Sequence, residues 1–136
     1  MSTPLGLKNN NPGNLRSTAI KWQGETTKQV GVGFETFATI ELGYRALLKN
    51  LETGIVKGND TITKLISRYA PPTENNTTSY VNAVAKYTGI PANKKLTADE
   101  TTLKKLAAAI SLHENGVNPV LSQIQAGWDL LKKKQA

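Results

Sequence analysis

No cysteine occurs anywhere in this chain, and histidine is nearly as scarce. Without cysteine, neither disulfides nor a thiolate metal site can hold the fold together. His113 stands alone, so a multi-histidine metal centre is excluded and a catalytic triad would have only that residue as its base. Gly-rich phosphate loops of the dinucleotide or nucleoside-triphosphate type are missing, as are serine-nucleophile elbows. No cofactor and no metal are expected. Long apolar runs are missing too, and no stretch approaches the roughly 20 residues that a membrane span requires. Met1–Asn11 is polar and does not read as a signal peptide. The expectation is synthesis in a bacterial cytoplasm and, if the protein leaves, exit by a route other than a signal peptide.

Acidic residues are the scarcer charge: 10 against 17 basic ones, giving +7. That balance favours anionic partners, whether nucleic acid, a membrane surface or an acidic polymer such as a bacterial cell wall. The basic residues are dispersed apart from Lys94-Lys95, Lys104-Lys105 and Lys132-Lys133-Lys134. With no Arg-rich arm, aromatic RNA-binding signature or zinc-finger spacing, they read as a solvated surface, and no specific nucleic acid is expected as partner.

What is present divides into two parts within one expected domain, residues 1–136. Up to about Ala38 the chain is rich in Asn, Gly and Thr, and Asn9-Asn10-Asn11-Pro12-Gly13-Asn14 is a strong turn cluster. Two β-like pieces follow, around Leu15–Lys21 and Val30–Phe37, and predict a short hairpin. From Ile40 onward amphipathic periodicity takes over. Ile40–Val56 carries Tyr44, Leu47, Leu48, Leu51 and Ile55 on one face. The next helix is capped by Asn59-Asp60, buries Ile62, Leu65, Ile66 and Tyr69, and stops before Pro71-Pro72. Thr78–Thr88 turns Val81, Val84 and Ala85 inward, with Gly89 as its stop. Thr97-Ala98-Asp99-Glu100 reads as a capping box opening a fourth helix. Leu121, Ile124, Trp128 and Leu131 mark a last one after Pro119. The predicted fold class is α+β, mainly helical, with about five helices and a short N-terminal β-hairpin.

One carboxyl breaks the apolar pattern. Leu103, Leu106, Ala107 and Ile110 form an i, i+3, i+4, i+7 stripe, and the next position on it is Glu114, just before the helix stop Asn115-Gly116. A carboxyl at the inner end of an apolar face is partly desolvated, a setting that favours its neutral form. A carboxylic acid kept protonated near neutral pH is what a glycosidase needs to protonate a leaving oxygen. The blander reading is a side chain tilted to solvent at a frayed helix end. His113 lies off the stripe and reads as a surface or supporting residue. The run Lys8–Arg16 offers amide donors and acceptors suited to sugar hydroxyls, although a tight turn explains it as well. Trp22, Phe34, Phe37 and Tyr80 line a groove or fill the core, and core is the default for the phenylalanines.

Three ordered strings carry a resemblance: Asn10-Asn11-Pro12-Gly13-Asn14-Leu15-Arg16 with Trp22-Gln23-Gly24 behind it, Arg68-Tyr69-Ala70-Pro71-Pro72-Thr73-Glu74-Asn75, and His113-Glu114-Asn115-Gly116. Together they resemble a group of small phage and prophage proteins, described as virion structural proteins or as lysozyme-like peptidoglycan hydrolases. The resemblance runs over roughly Gly6–Gly116. It implies a lysozyme-like domain in which a glutamate ends a helix beside a sugar groove. Here the β-patch precedes that helix, so the chain would be circularly permuted relative to the usual order, and α-helix end and asparagine turn should meet across about a hundred positions. The implied activity is a muramidase cutting glycan strands, bacteriolytic at the cell wall and carried in a virion in one version. The implied site has Glu114 as general acid and Glu25, or else Glu35, as the second carboxylate, with Thr26 or Thr27 as an alternative holder of a water. Asn11, Asn14, Arg16, Trp22, Tyr69 and Glu74 would contact the sugar. A lytic transglycosylase and a non-catalytic virion or wall-binding protein are the alternatives. Peptidoglycan glycan strands and other virion proteins are the expected partners.

Overall fold

The computed structural model describes residues 3–16, 22–26, 34–69 and 76–133. Among them six helices follow in order: α1 (Leu5–Lys8), α2 (Ile40–Val56), α3 (Ile62–Tyr69), α4 (Thr77–Thr88), α5 (Glu100–Asn115) and α6 (Leu121–Lys133). The protein is mainly helical. None of these helices is long and apolar enough to cross a membrane.

Helix α5 is the centre. Leu103, Leu106, Ala107 and Ile110 are completely enclosed, and Ala108, Ala109 and Ser111 are buried as well. The alanine run Ala107–Ala109 keeps this helix thin, so α1, α2, α4 and α6 can all pack against it. Tyr44, Leu47, Leu48 and Leu51 of α2, Ile62 and Ile66 of α3, Tyr80 and Val84 of α4, and Ile124 and Leu131 of α6 complete one core. Burying each such aliphatic side chain stabilises the fold by roughly 1.5–3 kcal/mol.

Helix ends follow ordinary capping chemistry. Thr39 accepts the Leu42 N–H, Asn76 that of Ser79, and Asp99 that of Thr102. Gly89 and Gly116 close α4 and α5 in the left-handed conformation. Several sequence expectations need correction. The cap of α5 is Asp99, so Thr97 does not start a capping box. Thr61 Oγ1 accepts the Lys64 N–H and caps α3, the role expected of Asn59-Asp60. Leu121 is 66% exposed and does not belong to the inward face of α6.

The N-terminal part is built differently. After α1 the chain enters the asparagine turn, where Asn10 and Asn14 take positive φ (53° and 51°), a conformation asparagine tolerates better than most residues. Residues 34–37 run beside the turn. Phe37 N donates to Asn9 O (2.9 Å), Asn10 Nδ2 to Phe37 O (3.0 Å) and Glu35 N to Leu15 O (3.0 Å). The expected hairpin is present among the described residues only as two isolated antiparallel bridges, Arg16–Phe34 and Glu25–Phe37, and much of Leu15–Lys21 and Val30–Phe37 lies outside those residues. A second, small apolar cluster of Leu15, Phe37 and Ala46, backed by Trp22, Leu42 and Tyr69, joins this corner to α2. At Gly43 of α2 any Cβ would collide with Asn10 O, so the turn and the helix touch backbone to backbone.

Candidate active site

Glu114 sits one turn beyond Ile110, at the mouth of the buried α5 stripe, and is half-buried. Both of its oxygens are held. Oε1 accepts from Asn14 Nδ2 at 2.7 Å, and Oε2 accepts from the Tyr80 hydroxyl at 2.7 Å. The expected meeting of the end of α5 with the asparagine turn, 100 positions apart, is therefore observed. Short bonds from neutral donors to a carboxylate are among the stronger hydrogen bonds in proteins and fix its rotamer.

The next residue fastens the turn. Asn115 is buried, and its Nδ2 donates to Pro12 O (2.9 Å) and to Ser111 O (3.0 Å). Ser111 Oγ in turn pairs with the Tyr44 hydroxyl at 2.9 Å. From the far side, the Tyr69 hydroxyl donates to Gly13 O. Two helices, α5 and α3, thus hold one hexapeptide turn by hydrogen bonds, and Glu114 links that turn to Tyr80 of α4. The His113 ring stacks on Tyr80, with centroids 3.8 Å apart and planes at 26°. His113 itself is exposed, as its place off the stripe predicts.

The two tyrosines stay protonated. Burial pushes the hydroxyls of Tyr69 and Tyr80 well above the ordinary tyrosine range, and the charge of nearby Glu114 pushes both further in the same direction. For Tyr80 the neighbouring Tyr69 adds to the effect. Both hydroxyls are donors throughout the physiological range. Glu114 keeps lone pairs beyond the two in use, so a proton or a ligand hydroxyl can still approach it.

The remaining site candidates divide. Asn14 touches Glu114 directly. Asn11 does not face outward: it is fully enclosed, its Oδ1 accepting from Leu15 N (2.9 Å) and its Nδ2 donating to Leu15 O and Glu35 O (both 3.0 Å). It shapes the turn and has no surface to offer a sugar. Tyr69 also holds the turn, with its hydroxyl already committed to Gly13. Arg16 is exposed and lies over the Phe34 ring, 4.6 Å from its centroid. Trp22 backs the small apolar cluster, and its backbone N–H donates to Glu25 Oε2 at 3.3 Å. Glu25 lies at the Phe37 corner, where its backbone bridges to Phe37. Glu35 is fully enclosed beside Leu15 and Asn11. The Thr26 and Thr36 hydroxyls pair with each other at 2.7 Å. Thr27 and Glu74 lie outside the described residues.

Two residues of the constellation escaped the sequence reading. Tyr80 was legible only as core or groove, although a tyrosine on a buried stripe needs a partner for its hydroxyl. Asn115 read as a helix stop, although an asparagine that is the last helical residue has an amide free for a tertiary bond. Among the described residues no group of three or more His, Cys, Asp and Glu side chains is placed to hold a metal.

A mainly helical fold with an oriented carboxyl at one helix end defines the setting, and sequence comparison relates the chain to a bacteriophage protein. It is 41% identical over 129 residues to Protein P5 of Pseudoalteromonas phage PM2, an alignment covering 91% of this chain and 79% of that protein. The chain belongs to the family of that phage protein. No family model matches it.

Proposed function

We propose that this chain, acting as one domain over residues 1–136, cuts the glycan strands of bacterial peptidoglycan, with Glu114 as the general acid. The observation that carries the reading is the Glu114 carboxyl, half-buried at the end of α5 and oriented by Asn14 and Tyr80. A glycosidase acid needs that combination of shelter and fixed direction in order to protonate the oxygen between N-acetylmuramic acid and N-acetylglucosamine. A lysozyme-like groove would then run along the outer side of the asparagine turn, in permuted order relative to the helix that supplies the acid. Arg16, Trp22 and the segment around Glu74 would flank the sugar. Attraction between a +7 chain and anionic wall polymers raises encounter rates and weakens with salt. Kinship with a phage protein fits carriage in a virion and contact with other virion proteins.

The placement of Glu25 and Glu35 favours one variant of this reading. Glu35 is fully enclosed, and the bond described for the Glu25 carboxyl is to the Trp22 backbone N–H rather than to Glu114 or its partners. A lytic transglycosylase needs no second carboxylate: Glu114 gives its proton to the leaving oxygen as the C1–O bond breaks. It then takes the proton of the sugar's own 6-hydroxyl as that oxygen closes on C1. Product masses decide. Purified protein incubated with peptidoglycan should release muropeptides, with anhydro ends for transglycosylation and reducing ends, one water heavier, for hydrolysis. A competing reading is a non-catalytic virion or wall-binding protein in which the two bonds of Glu114 merely staple the turn to α4 and α5. Wall binding without any released sugar would establish it.

A further inference from the structure

Asn14 leaves one of its own atoms stranded. Because Nδ2 donates to Glu114 Oε1, Oδ1 is directed inward, where it is buried with no hydrogen-bond partner. Asn115 Oδ1 is in the same condition, since Asn115 Nδ2 is committed to Pro12 and Ser111. The two stranded oxygens converge. A Cβ built on Gly6 would lie 2.5 Å from Asn115 Oδ1, 2.8 Å from Asn11 O and 2.9 Å from Asn14 Oδ1. Three acceptors meet at a point that only glycine leaves open. Asn11 O accepts the Asn14 backbone N–H at 3.0 Å, but buried polar atoms are almost always paired, so the two stranded amide oxygens call for an explanation.

An asparagine amide has two orientations of nearly the same shape, related by a half-turn about Cβ–Cγ. In the second orientation the Asn14 NH2 points to the side where the stranded Asn115 Oδ1 lies, with Asn11 O, which already accepts the Asn14 backbone N–H at 3.0 Å, beside it, and Oδ1 faces Glu114. An ionised carboxylate has nothing to donate to that oxygen, whereas a protonated one does. We propose that Asn14 is a proton-dependent positioning residue: it donates to Glu114 when that carboxyl is ionised, and turns over to accept the Oε1 proton when it is neutral. Only with Glu114 protonated are the two amide oxygens, Asn14 Oδ1 and Asn115 Oδ1, and the carboxyl all paired at once. Tyr80 from α4 keeps its bond to Oε2 in both states, because a hydroxyl donates or accepts as required. Among the described residues the other titratable groups around the site are Tyr69 from α3, Tyr44 from α2 beneath Ser111, and His113 on α5 itself. The tyrosines hold their protons over the working range, and His113 stacks on Tyr80 without a bond to Asn14 among those described.

The positioning role rests on Glu114 being the acid; the turnover itself does not, so its test needs no substrate. Isotope-labelled protein is followed by NMR across a pH series, reading the Glu114 carboxyl carbon, the Asn14 side-chain NH2 and its contacts to the Gly6 α-protons. The expected result is that NH2-to-Gly6 contacts strengthen severalfold as Glu114 takes up its proton, with one shared midpoint. In Glu114→Gln, whose amide supplies a donor at every pH, those contacts should be strong and pH-independent. An Asn14→Gly variant keeps the positive φ while deleting the amide, and should alter the pH profile of cleavage more than KM. Contacts that never change, or that change at a midpoint Glu114 does not share, overturn the proposal. Turnover without cleavage of peptidoglycan would sink only the enzymatic reading, and cleavage without turnover only the role of Asn14.

Discussion

The helical part and the N-terminal corner are held together by different physics. Around α5 the contacts are aliphatic, from Leu47, Leu51, Ile66, Leu103, Leu106 and Ile110, and burial is non-directional. In the corner the chain turns back on itself through side-chain amides: Asn10, Asn11, Asn14 and Asn115 each bond to a backbone carbonyl or a carboxylate. Loss of a methyl group in the first region is felt as a cavity. Loss of a buried amide in the second, Asn11 or Asn115, strands its backbone partner away from water. The first region therefore sets stability, and the second sets geometry where the carboxyl lies.

The sharpest way to separate the two begins with the largest effect. Leu106→Ala, deep in the core, should cost about 2–5 kcal/mol of unfolding free energy, read from denaturant melts. Well below its melting temperature the variant should keep wild-type cleavage per folded molecule. Asn115→Ala works the other way. It strands Pro12 O at a cost of about 1–3 kcal/mol, and it should depress cleavage far more than its stability loss predicts, because the turn carrying Asn14 is released. If both variants lose activity only in proportion to unfolded fraction, the division is wrong.

A smaller effect comes from pH. The hydroxyls of Tyr44, Tyr69 and Tyr80 all titrate above their ordinary value, chiefly because they are buried. Folded protein then holds protons that the unfolded chain releases near pH ~10. Their stabilising contribution is intact below that pH and is lost as pH rises above it. Melting temperature should be insensitive to these groups up to about pH 9 and fall beyond pH ~10. Tyr80→Phe should make that fall shallower while lowering stability at neutral pH, since Glu114 Oε2 loses its donor. An unchanged alkaline limb would remove Tyr80 from the account.

How far the sequence foretold each region follows from the same contrast. Helix α2 is observed with the predicted bounds, and the α5 stripe is enclosed as expected, because a period of 3.6 over sixteen or more residues is a cumulative signal. Helix α1 has four residues, too few to show a period. Leu121 reads as inward from its hydrophobicity, yet it is exposed at the first position of α6. The capping positions were displaced by one or two residues because Thr, Asn and Asp cluster at those ends and any of them can cap. In the corner, an asparagine's role depends on which carbonyl it meets, and that is a tertiary fact. The string Asn9–Asn14 announced a turn, but not that Asn11 points inward and Asn14 reaches Glu114. The carboxyl itself was visible only because it interrupts an apolar stripe.

The most direct measurement compares release of soluble glycan fragments from peptidoglycan by wild type and by Glu114→Gln, both shown to be folded by their melts. Glutamine fills the same space and keeps a bond to Tyr80, but it cannot deliver a proton. The account predicts abundant fragments from wild type and a loss of roughly 100-fold or more in the variant, as expected for removal of a general acid. Equal release from both proteins, or none from either, would contradict it.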